Sequence, residues 1–358
     1  MKKLVSMATI GFLSLMIVAA TIDLNNPFTY ENQTIAPYIS KDNTGANTIT
    51  DLGATLGRVL FYDKNLSLNN TIACASCHLQ EFAFGDTALA SVGFDGGLTG
   101  RHSMRLVNAR FSDEDHFFWD ERADSLEMQA TIPIQDHIEM GFSGTNGQPD
   151  FDSLINKLYT VDYYEPLFEA TYGDTVINED RIQKALAQFV RSIQSFDSKY
   201  DEGRAQVNND AQDFPNYTTS ENNGKTLFLD PPPLGGAGCA GCHRPPEFDI
   251  DPNTLNNGIV GVIGSTTSID ITNTRAPSLR DIINPNGNLN GPLMHNGSVT
   301  SLPALIAHYN TVVQVAGNTD LDPRLQGPGG DLQLTPTESQ DLINFLATLT
   351  GNAIYTDE

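Results

Sequence analysis

Apolar residues recur at helical spacing in three stretches of the chain, and no stretch sustains the period-two alternation of a strand. Within 51–63, Leu52, Leu56, Val59 and Leu60 fall on one helical face. From Glu179 to Tyr200, Ile182, Leu186, Phe189, Val190, Ile193 and Phe196 repeat that spacing and predict a longer helix. A closing helix is predicted after Pro336, capped by Thr335 or Thr337, with Leu342, Ile343, Phe345, Leu346 and Leu349 as its apolar face. Asn25 to Asn47 is rich in Asn, Thr and Pro without a period, and Glu202 to Asn223 is polar, so both read as irregular. At the start, Met1-Lys2-Lys3 precedes an apolar run from Leu4 to Ala20 that ends in Val18-Ala19-Ala20, the pattern of a secretory signal. That run is shorter than the ~20 residues of a spanning helix and contains Ser6, Thr9 and Ser14. The expected organisation is a signal peptide at 1–20, an arm at 21–50, a first domain at 51–201, a linker at 202–222 and a second domain at 223–358.

Part of this pattern occurs twice. Gly57-Arg58-Val59-Leu60-Phe61-Tyr62-Asp63 precedes Cys74-Ala75-Ser76-Cys77-His78, and Gly224-Lys225-Thr226-Leu227-Phe228-Leu229-Asp230 precedes Cys239-Ala240-Gly241-Cys242-His243. Both pentads are soon followed by Glu-Phe, as Glu81-Phe82 and Glu247-Phe248, and together they use all four cysteines. Cys-x-x-Cys-His is the signature of covalent haem attachment: the two thiols add to the haem vinyl groups and the adjacent His ligates the iron. A zinc site would have to close over the long stretch between the pentads, and thioredoxin-like chemistry needs a βαβ context that the flanks do not supply. The fold expected is mainly α, two tandem cytochrome c-like domains with long loops, each carrying one covalent haem c.

The net charge of −24 argues against nucleic acid or an anionic membrane as partner. It would attract a cationic redox protein, or serve only solubility. Export suits the haem motif and points to the periplasm. The single tryptophan, Trp119 in Phe117-Phe118-Trp119-Asp120-Glu121-Arg122-Ala123, reads either as core packing or as an electron relay between haems.

Several shorter pieces are similar to the bacterial dihaem cytochrome c peroxidase and MauG superfamily across nearly the whole chain after the signal. They are Leu66-Ser67 before the first pentad, Gly100-Arg101, Asn108, Phe118 to Ala123, Ile132-Pro133 through Glu139-Met140, Arg275 to Arg280 and His295-Asn296-Gly297. The resemblance implies that the haem of Cys74, Cys77 and His78 is peroxidatic and that the haem of Cys239, Cys242 and His243 supplies electrons. It places Trp119 between the haems, and Gln129 and Glu139 in the distal pocket. The chemistry suits Glu139: peroxide reduction removes a proton from one oxygen and delivers it to the other, so one carboxyl can act as base and then acid. Burial would raise its pKa toward the useful range.

The sequence departs from the family in three places. Where many members carry a blocking His after the first pentad, alignment puts Phe94, so the enzyme is expected to need no reductive activation. His102 falls where the family usually has a calcium-binding Asn, while Asn290 and the carbonyl of Pro292 match the other two calcium positions; a calcium site is left open. The sixth-ligand position of the C-terminal iron, fourteen residues after His295, holds Tyr309, as in MauG-type members, with Met294 as competitor. The function expected is a periplasmic peroxidase that reduces hydrogen peroxide to water with electrons from a small redox protein such as a cytochrome c or cupredoxin. A homodimer is left open. A MauG-like oxidation of residues in a partner protein is the first rival, made credible by Tyr309. A dihaem electron carrier is the second, opposed by Glu139, Gln129 and an open first haem.

Overall fold

The computed structural model describes residues 22–113, 116–250 and 253–352, so the expected signal peptide lies outside the described residues. The α-helices are α1 (Asp51–Tyr62), α2 (Leu126–Thr131), α3 (Phe151–Leu158), α4 (Tyr164–Tyr172), α5 (Glu179–Ser192), α6 (Lys199–Arg204), α7 (Thr219–Leu229), α8 (Leu302–Asn310) and α9 (Pro336–Ala347). The only sheet among the described residues is the two-residue pair β1 (His243–Arg244) with β2 (Asp249–Ile250). A mainly helical chain with long loops is what the absence of strand alternation predicts.

Local chemistry sets the helix ends. Thr50 caps α1 by accepting from the Gly53 N–H, and Thr335 with Glu338 forms a capping box at α9, with Pro336 in the first turn where no donor is needed. The predicted 179–200 helix is broken. Its regular part ends at Ser192, because the Asn108 side chain pairs with the backbone of Ser195 on both sides (Nδ2 to O 3.0 Å, N to Oδ1 2.8 Å) and its N–H donates to Ile193 O. The apolar spacing runs past the break because Ile193 still packs in the core and Phe196 stacks on Phe111 at 4.8 Å.

Two apolar cores follow the internal duplication. One gathers α1, α3, α4 and α5 around Leu60, Phe61, Leu186 and Phe189; the other gathers α7, α8 and α9 around Phe228, Leu305, Leu342 and Phe345. In each, the helix before the pentad crosses the last long helix at closest approach on a glycine. A Cβ on Gly57 would stand 2.0 Å from the Ala185 carbonyl oxygen, and one on Gly224 would stand 1.9 Å from that of Asp341. One turn later Phe61 meets Phe189 at 5.1 Å, and Phe228 meets Phe345 at 5.2 Å. Of the predicted stripe on α1, Leu56 and Leu60 are buried while Leu52 and Val59 are only half-buried, because the buried face turns toward Gly53, Ala54, Gly57 and Phe61.

The Glu-Phe repeat is not the structural repeat. The counterpart of Phe248 is Phe84: both have positive φ (56° and 57°), and each stacks on the helix phenylalanine, Phe228 at 5.6 Å and Phe61 at 5.7 Å. The first loop is one residue longer, which leaves Glu81 exposed while Glu247 is buried. Residues 202–222 are more ordered than their polarity suggests: Phe214 and Tyr217 enter the second core, and Lys225 reaches the carbonyls of Asp210 and Gln212 at 2.5 and 2.7 Å. The described part of the arm, 22–50, is tied down as well, with the N–H groups of Tyr30 and Glu31 on Asp51 and the Tyr38 hydroxyl on Asp201.

Gly57→Ala and Gly224→Ala should each destabilise the protein. The overpacking penalty of about 1–3 kcal/mol meets rigid backbone here and outweighs the ~1 kcal/mol that alanine gains over glycine in a helix. Denaturant unfolding of the haem-loaded protein checks this, and unchanged midpoints would contradict the close crossings.

Candidate active site

Each pentad forms one tight turn. The N–H groups of Cys77 and His78 donate to Cys74 O at 3.1 and 3.0 Å, and the Cys242 N–H donates to Cys239 O at 3.1 Å. No disulfide joins the four cysteines, and burial pushes the thiols of Cys74 and Cys239 up to about 12 and that of Cys77 up to about 11, so these three are uncharged. His78 sets its Nδ1 2.9 Å from Phe84 O; that nitrogen must donate, which leaves the Nε2 lone pair for a metal. The Phe248 carbonyl faces His243 in the same way without closing to a full hydrogen bond at Nδ1. Burial keeps both imidazoles neutral, His243 down to about 4.

The two pentads open on separate cavities. The C-terminal one, about 700 Å³, is lined by Cys239, Cys242, His243, Phe228 and Leu346, with Met294 and Tyr309 also in its wall. Near the first pentad a cavity of about 420 Å³ and a smaller one of about 70 Å³ both reach His78, Gln129 and Glu139, and Cys74 and Cys77 line the smaller. A paired thiol set and a neutral imidazole with Nε2 uncommitted are what a covalently held haem requires in each half. The C-terminal cavity and the smaller N-terminal one are mainly apolar, whereas the larger N-terminal one carries Arg101, Arg105, Arg122, Asp136, Glu139 and Arg275 in its wall. Among the described residues no three His, Cys, Asp or Glu side chains gather as a separate metal cluster.

His102, Ser103, Met104, Arg105 and Trp119 line both large cavities and form the wall between them. Trp119 is fixed from three sides. Its Nε1–H donates to His102 O at 2.8 Å, and its carbonyl accepts from the N–H groups of Thr274 and Arg275. Its ring meets the His295 ring edge-on at 6.4 Å. The His102 N–H in turn donates to His295 O at 2.7 Å. The turn that carries Trp119 holds Phe118 and Glu121 at positive φ, a conformation costing about 1 kcal/mol or more at each residue. Arg122 over the Phe118 ring at 3.7 Å and the Arg101 pairs with Asp120 (2.6 Å) and Asp270 (2.7 Å) hold it in place.

Glu139 is pushed up to about 7, by burial first and the Asp136 carboxylate second, against the opposing pull of Arg122. Asp136 also caps the turn by accepting from the Ile138 and Glu139 N–H groups at 2.7 and 3.0 Å. Phe94 does not line these cavities. Its ring packs on Gly141, and its N–H donates to Glu139 O, so Val92 and Gly93 face the smaller cavity instead. That loop still offers no nitrogen side chain.

Pro292 lines the C-terminal cavity, and Asn290 lies behind it with Oδ1 buried and without a hydrogen-bond partner, the kind of oxygen that a hard cation would satisfy. His102 occupies the third position beside Gly291 with Nδ1 committed to Ala88 O at 2.9 Å. An imidazole in place of an oxygen fits calcium poorly, which takes roughly six to eight oxygen ligands.

The sequence profile described as di-haem cytochrome c peroxidase matches residues 52–209. The methylamine utilization protein MauG of Methylophilus methylotrophus is 30% identical over 315 residues, covering 86% of this chain and 85% of that protein. The chain belongs to the di-haem cytochrome c peroxidase family. Another member of the family, the cytochrome-c peroxidase IdrP1 of Denitromonas iodatirespirans, is 27% identical over 341 residues, covering 85% and 82% of the two chains. In structure the chain is similar to a MauG-like protein associated with microbial copper homeostasis, with a TM-score of 0.69 and 26% identity over 89% of this chain and 95% of that one. The family oxidoreductases are haem-dependent, which agrees with the two pentad cavities. Sequence reasoning missed Asn257, whose amide lies 3.1 Å from Met294 Sδ and 3.3 Å from Tyr309 Oη. It sits in a polar Asn-Asn-Gly run that no motif marks. Arg122 was visible only as part of a matching string, without its role beside Glu139.

The raised pKa of Glu139 has a stability consequence. A carboxyl raised in the folded state from its ordinary 4.5 to about 7 contributes stability that is present at low pH and lost as pH rises through that window. Glu139→Gln should therefore gain on the wild type between pH 4.5 and pH 7, by on the order of 2 kcal/mol once partial solvent screening is allowed for. Denaturant unfolding of both proteins at pH 5 and pH 8 measures the gap, and an equal gap at the two values would refute the assignment.

Proposed function

We propose that the chain is a periplasmic dihaem peroxidase that reduces hydrogen peroxide to water with electrons from a small redox protein, a cytochrome c or a cupredoxin. The observation that carries the reading is the placement of a half-buried carboxyl, Glu139, with Gln129 in the wall of the cavity that reaches His78, where desolvation and the Asp136 carboxylate push it up to about 7. Among the described residues the smaller cavity beside His78 has no second imidazole in its wall. His78 with Cys74 and Cys77, and His243 with Cys239 and Cys242, would hold two covalent haems. Their irons supply one-electron redox chemistry.

The remaining work falls to the chain. Ionised Glu139 accepts a proton from the peroxide oxygen nearer His78 and returns it to the departing oxygen, which leaves as water. Two electrons and two protons complete the reduction to two waters. The Gln129 amide orients peroxide by hydrogen bonding from the same wall. Trp119, in the partition between the cavities, is the intermediate site for electrons crossing from the C-terminal half. The charge of −24 draws in a donor with a cationic face. No helix among the described residues is long and apolar enough to cross a membrane.

A second reading is MauG-like oxidation of residues in a partner protein. It is favoured by Tyr309 in the C-terminal cavity and by the 30% identity to a MauG protein. Rapid mixing of the diferric protein with peroxide, followed by reduced cytochrome c, separates the two. The peroxidase reading predicts an immediate spectral change without prior reduction, then fast donor oxidation. Glu139→Gln should slow the first phase by about a hundredfold or more. A response that requires partial reduction contradicts the open first site, a lasting change that ignores the donor favours the MauG-like reading, and no change at all leaves only electron carriage.

A further inference from the structure

Tyr309 and Met294 reach the C-terminal cavity from different elements, yet both end at one amide. Asn257 Nδ2 lies 3.1 Å from Met294 Sδ and 3.3 Å from Tyr309 Oη. The rest of Asn257 is held in place. Its Oδ1 accepts from the Ile259 N–H at 3.1 Å, and its carbonyl accepts from His308 Nε2 at 3.0 Å. His308 precedes Tyr309 on α8, so Asn257 is tied to the helix that presents the phenol. Met294 projects instead from a loop residue at φ 72°.

We propose that Asn257 is a positioning residue that selects the sixth ligand of the C-terminal haem iron: its amide N–H donates to the Tyr309 oxygen and so holds that oxygen, not the Met294 sulfur, toward the iron. The inference rests on the dihaem reading above. An amide N–H forms a stronger bond to a phenol oxygen than to a thioether sulfur, which is only a weak acceptor, so the same donor discriminates between the two side chains. An anionic oxygen ligand also favours ferric iron, whereas a thioether raises the potential of a c-type haem. Without the amide, the oxygen loses the bond that orients it, and the Met294 sulfur, which lines the same cavity and contacts the same amide, would ligate the iron instead.

The test uses the haem-loaded protein and its ferric spectrum. Wild type should lack the near-infrared methionine-to-iron band. Asn257→Leu should acquire that band and raise the midpoint potential of this haem, and adding Met294→Leu should abolish the band. Asn257→Asp keeps the acceptor for the Ile259 N–H while removing the donor, so it should shift in the same direction if the leucine variant does not fold. Tyr309→Phe should also show the band, because the sulfur is within reach. Wild-type spectrum and potential in both Asn257 variants, a lowered potential without the band, or no band in Tyr309→Phe would each overturn the proposal. Haem content is measured alongside: a variant and wild type that both lack the second haem would defeat the dihaem reading, whereas two haems with an unchanged spectrum would defeat only the role of Asn257.

Discussion

Everything in this structure depends on space left inside two helix crossings. At Gly57 over Ala185 and at Gly224 over Asp341 the backbones approach too closely for any side chain. That closeness fixes the orientation of the helix that precedes each pentad. Phe61 then meets Phe84 in one half and Phe228 meets Phe248 in the other, and the Phe61 ring lies 6.4 Å from that of His78. What remains beside each histidine is a cavity, mainly apolar in the second half and partly charged in the first. A chain with such long loops cannot close those cavities by itself, and a porphyrin bound to the thiols would complete each core as well as supply the redox centre.

The partition between the cavities carries the second constraint. His102 bonds through its backbone to His295 on one side and to Trp119 on the other, and Trp119 is bonded in turn to Thr274 and Arg275. The Trp119 backbone is thus bonded to the second half, while the indole itself is bonded to His102 of its own half and meets the His295 ring of the other edge-on. Electron transfer falls steeply with separation, so a rigid aromatic in the partition suits a relay. In the proposed chemistry Glu139 would work by the opposite principle: burial pushes its carboxyl up to about 7, the range where a proton can be both taken and given.

Much of this was legible in the sequence where a pattern has one physical cause. The pentads, the Gly-Leu-Phe duplication ahead of them and the Thr335 cap with its apolar helix all appear as read. What failed did so for identifiable reasons. The helical period from Glu179 runs through Phe196 although the helix stops at Ser192, since apolar spacing reports burial, and the Asn108 side chain that takes over the backbone bonds is distant in sequence. The two Glu-Phe pairs matched by coincidence, because one extra residue in the first loop shifts the equivalent phenylalanine to Phe84. Phe94 matched the position of a family ligand in the alignment, yet its ring turns away to Gly141. Asn257 could not have been found at all, as its importance lies only in what converges on it.

The measurement that bears most directly on the account is the mass of the intact, denatured, exported protein. Covalent attachment at both pentads predicts the mass of the mature chain plus two haems, retained through denaturation, with no free thiol left to alkylate. One haem, a bound zinc, or four alkylatable cysteines would contradict the account, because the two cavities, the partition and the chemistry assigned to Glu139 all presuppose a haem on each side of Trp119.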